Sequence, residues 1–356
     1  MALAVQRTRN PSLLNRLKSR LLDLSPKEAS FSRRGFPGCG SSSRRHLESV
    51  IQTFIEGYNL AVGEADMVRL ARRLDSSFST AFVGFAYEGA GLYFGLTDLL
   101  VPRSQSRLSA FTHSVAEHHD FIVSVGAGFA VARMPLGLRR LESYQKTLDP
   151  MTAWCLADGY GFHQGFFHWK RFIEARQAAP ASLDMQNRRL FDAGVGRSMW
   201  WVFGADPTLI ASAISRFDND RQPEMWAGIG TALAYAGGGP PVASTLLLDM
   251  AGAYGLDLLS GIPFAAHMRD KGRNPAEWTD QVCSELLNMS VAETSGIIVT
   301  ELAAYLDSWQ GSEQDKWSGC YVALRDRVRR RLELGRAKPL ASSARAEGVC
   351  EERHDN

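Results

Sequence analysis

Acidic residues stand just before pairs of glycines at three places in this chain. Glu88 opens EGAG, Asp158 opens DGYG and Asp192 opens DAGVG, and each phrase continues into apolar or aromatic residues. A carboxyl group buried among apolar side chains is costly to ionise, so its pKa rises. A carboxyl with a pKa near neutrality is suited to general acid or base catalysis. The pattern therefore predicts Glu88, Asp158 and Asp192 as an acid/base set.

Each of these carboxylates also has a structural alternative, in which it caps a helix or pairs with an arginine. Arg197 follows Asp192 by five residues, and Arg133 is a candidate partner for Glu88. Glu56, in EGYN, is a further acidic residue of the same kind. If the phrases hold matched positions in a repeated scaffold, several of the carboxylates would meet in one central pocket.

Other side chains would support such chemistry. His163 and Arg197 are predicted as electrostatic partners of the carboxylates and complete the predicted catalytic set. Aromatic faces attract cations, so some aromatic residues are predicted to line a pocket for a polyene or a cationic intermediate. Core packing is the alternative role of each. The predicted substrate-binding residues are Tyr87, Tyr160, Phe162, Trp200, Trp201 and Trp226.

The sequence favours neither a metal site nor a bound cofactor. His163 and His168 are five residues apart and fall on different faces of a helix, and the run from His118 through His119 to Asp120 diverges in the same way. The five cysteines include no CxxC pair, so a zinc site is not indicated. Phosphate-loop, HExxH and GxSxG motifs are absent. The GxG pairs lack the strand–turn–helix setting of a dinucleotide fingerprint.

Glycines recur in the same order in the two halves of the chain. Glycine inside a helix costs about 1 kcal/mol relative to alanine, so the set needs a reason, either close helix packing or room for an apolar ligand. The spacing predicts a mainly α, internally duplicated, glycine-rich domain with a pseudo-two-fold arrangement, rather than a solenoid of short units. The matched positions are Gly57 and Gly159, Gly89 and Gly194, and Gly126 and Gly228, with offsets of 102, 105 and 102 residues.

Composition divides the chain into four parts. Residues 1–32 form a basic segment whose leucines fall on one helical face, and residues 33–150 form the first helical repeat. Residues 151–335 form the second repeat with C-terminal helices, and residues 336–356 form a disordered tail. The net charge of only +2 argues against a nucleic-acid partner. The cysteines are scattered and odd in count, and the sequence has no signal-peptide pattern, so a cytoplasmic location is indicated. Residues 11–24 would either dock on the domain or lie against the inner membrane face.

Several phrases resemble a bacterial family labelled enediyne biosynthesis protein, whose members lie beside enediyne polyketide synthases. The resemblance spans about residues 33–270 and implies a role in specialised metabolism on a polyketide-derived polyene. It supplies no catalytic residue. The matching stretches are Arg34-Gly35-Phe36, FIEGYN at 54–59, FAYEGAG at 85–91, VGAGFAVAR at 125–133, DGYGFHQG at 158–165, FDAGVGRSMWW at 191–201 and MWAGIGTALAYAGG at 225–238.

Three functional hypotheses follow. The first is a cofactor-independent accessory enzyme that binds an apolar polyene or isoprenoid-like molecule and isomerises or cyclises it by proton transfer. The second is a non-catalytic binding or scaffold partner of the polyketide synthase or of a membrane-bound biosynthetic protein. The third is a noncanonical terpene-like cyclase, against which the absence of a DDxxD or DxDD motif counts. Convergence of the acidic phrases on a closed cavity would distinguish the enzymes from the scaffold.

Overall fold

The regular elements of the protein are helices throughout the part of the chain that the computed structural model describes, which is residues 22–101, 105–310 and 319–337. The prediction of a mainly α fold is confirmed. One-turn 3₁₀ helices lie at Pro26–Ala29, Pro37–Gly40, Glu117–His119 and Gly252–Tyr254, and one turn of π-helix at Lys170–Glu174.

The α-helices are α1 (Phe31–Arg34), α2 (Arg44–Gly63), α3 (Met67–Ser77), α4 (Thr80–Leu100), α5 (Arg107–Thr112), α6 (Asp120–Arg133), α7 (Gly137–Gln145), α8 (Pro150–Ala153), α9 (Cys155–Phe167), α10 (Met185–Val202), α11 (Pro207–Ile214), α12 (Gln222–Ala236), α13 (Ala243–Ala251), α14 (Gly255–Lys271), α15 (Glu277–Leu287), α16 (Val291–Asp307) and α17 (Cys320–Ala337).

Seven of the longer helices pack against one another in chain order, and we call α2, α4, α6, α9, α10, α12 and α14 the inner helices. Neighbours run in the same direction, as α6 and α9 show. Phe121 near the start of α6 contacts Trp154 just before α9, with ring centroids 5.9 Å apart, and Phe129 later in α6 stacks on Phe162 later in α9 at 5.4 Å. The short helices and loops between them return the chain to the starting end.

The glycine pairs join each inner helix to both of its neighbours. A Cβ added at Gly91 of α4 would meet the Val123 carbonyl of α6 within 3 Å, and one added at Gly126 of α6 would meet the Glu88 carbonyl of α4 equally closely. Only glycine permits these backbones to approach so far, and the close-packing interpretation is confirmed. The facing glycines are Gly57 and Gly89, Gly91 and Gly126, Gly128 and Gly159, Gly161 and Gly194, Gly196 and Gly228, and Gly230 and Gly261.

The repeating unit is shorter than the sequence interpretation allowed. The first glycine of each phrase stands at positions 89, 126, 159, 194, 228 and 261, so one inner helix with its return segment recurs every 33 to 37 residues. The offsets of about 102 to 105 residues span three such units. This shorter period was missed because the return segments differ in length and composition. Internal duplication with a pseudo-two-fold arrangement stays a prediction.

The row of inner helices curls until its last members touch its first ones. Arg269 of α14 is 1% exposed and donates from Nη1 to the Ala81 carbonyl of α4 at 2.6 Å, with its guanidinium 4.2 Å from the centre of the Tyr235 ring of α12. Lys271 of α14 bridges to Asp120 of α6 at 2.6 Å. The inner helices therefore surround a central space.

The described part of the N-terminal segment docks on the domain. The Leu24 backbone exchanges two hydrogen bonds with the Asn59 amide of α2, at 2.8 and 3.0 Å, and the Phe31 amide donates to Glu48 of α2 at 2.8 Å. The rest of segment 1–32, the greater part of the 11–24 stretch and nearly all of the 336–356 tail lie outside the described residues. The division near residue 150 stays a prediction, although α6 and α9 pack across it as other neighbours do.

The apolar stretch 225–248 forms most of α12 and the start of α13, which are separated at the GGGPP sequence. Further along, the helical stretch Ala243–Lys271 is long and apolar enough to cross a membrane by length and composition. Half of its most apolar window is buried inside the protein, and core helices pass the same criterion.

Asp206 caps the N-terminus of α11, directly before Pro207. Its carboxylate accepts hydrogen bonds from the amides of Thr208 and Leu209 at 2.9 and 3.1 Å. We expect Asp206→Ala to lower the free energy of unfolding by about 1 kcal/mol, because those amides lose their acceptor. Urea denaturation would measure it, with Asp249→Ala at an exposed position of α13 as the control, expected within about 0.5 kcal/mol of wild type. Equal losses in both variants would contradict the capping role.

Candidate functional site

A narrow cavity runs through the centre of the inner helices. Phe121, Ile122, Val125, Phe129 and Arg133 of α6 all line it, on one face of that helix. Arg133 lies twelve residues after Phe121, which is about 18 Å along a helix axis. The cavity has a volume of about 110 Å³, counted as the space that the centres of water molecules could occupy. The space is therefore long and thin, a shape that fits an extended chain better than a compact ligand.

The walls are mostly apolar, and most of their ionisable groups lie at three positions; Glu28, beside Arg34, and His267 line the cavity as well. Glu88, Asp158 and Arg197 lie near the middle of the cavity. Arg34 and Arg133 lie at the end near the C-termini of α6 and α9, and Arg325 belongs to the α17 side. The aromatic lining residues are Phe54, Phe85, Phe121, Phe129, Trp154, Phe162, Phe166, Phe167, Trp201, Tyr235, Phe264 and Tyr321.

The position of a residue relative to the first glycine of its phrase determines whether its side chain faces the cavity. The residue directly before the first glycine lines it in every inner helix from α4 to α14, and so does the residue four positions further on, because the two share a helical face. Those before the glycine are Glu88, Val125, Asp158, Ala193, Ala227 and Ser260, and those four residues later are Leu92, Phe129, Phe162, Arg197, Thr231 and Phe264.

Glu88 is a buried carboxyl group at the cavity wall. It is 6% exposed, and within the described residues its carboxyl has no hydrogen bond or ion pair. Burial raises the pKa of Glu88 to about 8; Arg197 lowers that pKa and Asp158 raises it, both to a smaller extent than burial. At pH 7 the group is therefore mostly protonated and able to donate a proton.

Asp158 and Arg197 form an ion pair beside Glu88. An Arg197 Nη2 proton is donated to Asp158 Oδ1, and the guanidinium lies 4.7 Å from the centre of the Phe162 ring. Burial raises the pKa of Asp158, while Arg197 opposes that rise. The pair keeps a carboxylate and a guanidinium next to the Glu88 carboxyl group. Three of the five predicted catalytic residues are thus brought together.

Asp192 does not join this group. Its carboxylate receives hydrogen bonds from Arg221 Nε at 3.0 Å and Nη2 at 2.5 Å, so Arg221 is its partner instead of Arg197. The acid stands two residues before Gly194, so Ala193 occupies the cavity-facing position and Asp192 points in another direction. The structural alternative of an arginine pair describes Asp192.

His163 lies beside the cavity without lining it. Its ring packs against Phe167, with centroids 4.4 Å apart, and against Phe129 at 5.8 Å. Burial, followed by the charge of Arg133, lowers the pKa of His163 to about 3. Its Nδ1 has no hydrogen-bond partner in the part of the chain that the structure describes. The imidazole is therefore neutral near pH 7 and carries no charge toward the carboxylates.

Two of the six predicted wall residues, Phe162 and Trp201, line the cavity. Tyr87 instead stacks on His119, with ring centroids 4.1 Å apart, and its hydroxyl donates to Asp75 at 3.0 Å. Core packing therefore accounts for most of the set. The wall residues found buried elsewhere among the helices are Tyr87, Tyr160, Trp200 and Trp226.

Residues 13–332 match a family model described as a protein of unknown function, DUF1702. The chain belongs to this DUF1702 family. The comparison with curated proteins gives no match, and neither does the comparison with solved structures. The family match spans all of the inner helices, and therefore the whole wall of the cavity in this DUF1702 protein.

Three arginines that line the cavity of this DUF1702 protein, Arg34, Arg133 and Arg325, were not predicted from the sequence as site residues. Arg133 lies four residues after Phe129 and therefore on the same helical face, so helical spacing alone would have identified it. Arg325 is 2% exposed and comes from α17, far along the chain, where it contacts Glu224 and donates to Asp257 at 2.7 Å. Its position depends on tertiary packing and had no local signal. Within the described residues, no cluster of three or more potential metal ligands is found.

Proposed function

We propose that this protein is an accessory enzyme of specialised, enediyne-type polyketide metabolism. It binds an extended apolar polyene in the central cavity and isomerises or cyclises it by cofactor-free acid/base chemistry. One observation carries the proposal: Glu88, a carboxyl group with a pKa raised to about 8, stands without a bonded partner in the wall of a long apolar cavity. A structural carboxylate would be paired, as Asp192 is with Arg221.

The chemistry needs only the residues at the middle of the cavity. Glu88 donates its proton to one carbon of a double bond, and the positive charge spreads along the conjugated chain. Aromatic faces such as that of Phe162 and the carboxylate of Asp158 stabilise this cation. Glu88, now a carboxylate beside the Arg197 guanidinium, removes a proton from another carbon. The double bonds are thereby moved, or a ring is closed, with no net loss of protons.

The shape and polarity of the cavity support a polyene over other ligands. A length of about 18 Å along α6 with aromatic side chains along it suits a chain without polar groups in its middle. The mostly apolar walls also disfavour water near the cation, which water would otherwise trap. We further propose a cytoplasmic location and an internal duplication of the scaffold, the latter supported by the matched glycines of α4 with α10 and of α6 with α12.

Co-expression with a polyene-producing polyketide synthase tests this function. Wild-type protein should change the polyene products that mass spectrometry and chromatography detect, and Glu88→Gln should return the profile to that of the synthase alone. Glu56→Gln is the matched control, because Glu56 is exposed and, within the described residues, its carboxylate accepts a hydrogen bond only from Gln52, at 3.0 Å. A profile that Glu88→Gln leaves unchanged, with the variant folded, would contradict a catalytic role.

A further inference from the structure

One end of the cavity holds more positive than negative charge, because Glu28 is the single carboxylate that lines it there among the described residues. Arg133 lines the cavity at the last residue of α6, and within the described residues it has no ion pair. Burial lowers its pKa, which marks the cost of holding its charge away from water. Its guanidinium lies 5.5 Å from the centre of the Phe167 ring.

Arg34 adds a second cation at the same place. Its guanidinium lies 4.3 Å from the centre of the same Phe167 ring, so two guanidiniums flank one aromatic side chain. The single carboxylate nearby, Glu28, is already shared by Arg33 at 2.8 Å and by Arg34. The described residues at this end therefore comprise three arginines and one carboxylate, which leaves a net positive charge.

The other arginines of the cavity are neutralised. Arg197 is paired with Asp158, and Arg325 with both Glu224 and Asp257. An anion would therefore find a vacant partner only at the Arg133 end of the described cavity. Guanidinium groups favour carboxylate and phosphate oxygens, with which they form paired hydrogen bonds.

We infer that the ligand of this cavity is amphipathic, with an anionic head group, a carboxylate or a phosphate, bound by Arg133 with Arg34 beside it. The inference rests on the proposed function in that the cavity must be the ligand site. Gly126 faces the Glu88 carbonyl, and Arg133 lies seven residues later, about 10 Å further along α6. The carbon that Glu88 protonates would therefore lie several atoms from the head group.

Fluorescence titration of the full chain with a conjugated polyene fatty acid tests this inference. The probes are parinaric acid, its methyl ester and the alkyl phosphate of the same chain. Wild-type protein should bind the acid or the phosphate at least about tenfold more tightly than the ester, and the tighter of the two identifies the head group. Arg133→Gln should abolish this preference while binding the ester as wild type does, which also shows that the variant is folded.

Arg139→Gln is the matched control, because Arg139 is an exposed arginine six residues away, outside the cavity. It should keep the wild-type preference. Equal affinity of wild type for acid, phosphate and ester would overturn the anionic head group and leave the apolar cavity as the polyene site. A preference that survives Arg133→Gln would overturn the assignment to Arg133. Failure of all three probes to bind would overturn both this inference and the proposed function.

Discussion

Replacing Glu88 with glutamine is expected to lower the rate of polyene conversion by about 10² to 10⁴-fold, the usual contribution of a general acid or base. Glutamine keeps the size of the side chain and its polarity but cannot donate a proton from a carboxyl group. Polyene binding should be unchanged, because the walls are intact. A fluorescence titration and a product assay on the same preparation would separate the two effects, and a loss of both together would point to misfolding.

The pH dependence of the wild-type rate should follow the same carboxyl. The proton donor must be protonated, so the rate should be constant below about pH 8, the pKa of Glu88, and fall above it. Glu56→Gln should preserve this profile, because Glu56 is exposed on the surface of α2. A rate that rises through pH 8 would mean that the ionised carboxylate acts first, as a base, which reverses the proposed order of steps.

Glu88→Gln should raise the stability of the folded protein although it lowers the rate of the reaction. The pKa of Glu88 is about 8 in the folded chain and near 4.5 in the unfolded chain, so below pH 4.5 both states are protonated and Glu88→Gln has no effect. Between these pH values ionisation of Glu88 lowers the free energy of the unfolded state only, so the wild-type protein loses stability as pH rises. At pH 7 we expect the variant to be more stable by roughly 3 kcal/mol, measured by urea denaturation.

The second large effect is expected from the glycines that join the inner helices. In Gly126→Ala the new Cβ would lie within 3 Å of the Glu88 carbonyl oxygen, which is backbone of α4 and cannot rotate away. α4 and α6 would have to separate, and overpacking of this kind costs about 3 kcal/mol. Because the contacted carbonyl belongs to Glu88, the separation would also displace the proposed proton donor. Urea denaturation and the product assay should both show the loss.

Gly296→Ala is the matched control for this prediction. Gly296 also lies inside a helix, α16, but a Cβ added there meets no atom within 4 Å. Alanine should therefore stabilise the helix by about 0.5 to 1 kcal/mol, through its higher helix propensity. If Gly126→Ala were as mild as Gly296→Ala, the facing glycines would not determine how closely the inner helices approach.

The sequence predicted the middle of the site better than its ends. Glu88 and Asp158 were identifiable because each acid directly precedes the first glycine of its phrase, which is the cavity-facing position. Asp192 carried the same composition with one extra residue before the glycine, and that single residue turns it toward Arg221. Composition alone does not contain the register, whereas helical geometry together with the glycine spacing does.

The arrangement of the helices was less accessible. Glycines in apolar helices indicate close packing, but not which helix faces which, and the unit of 33 to 37 residues is visible only once each glycine is seen against its partner. Closure of the inner helices depends on contacts such as that of Arg269 with the Ala81 carbonyl, 188 residues apart. Long-range pairs of this kind leave no local pattern in a single sequence.

Deuterium transfer from the protein to the polyene tests the central claim most directly. Protein equilibrated in D₂O, so that the Glu88 carboxyl carries deuterium, would be mixed in excess with a polyene substrate, and the product would be analysed by mass spectrometry after one turnover. The account predicts one deuterium on carbon in the product from wild type and from Glu56→Gln, and no deuterated product from Glu88→Gln. Product formed by wild type without deuterium would contradict proton transfer from Glu88 as the reaction of this cavity.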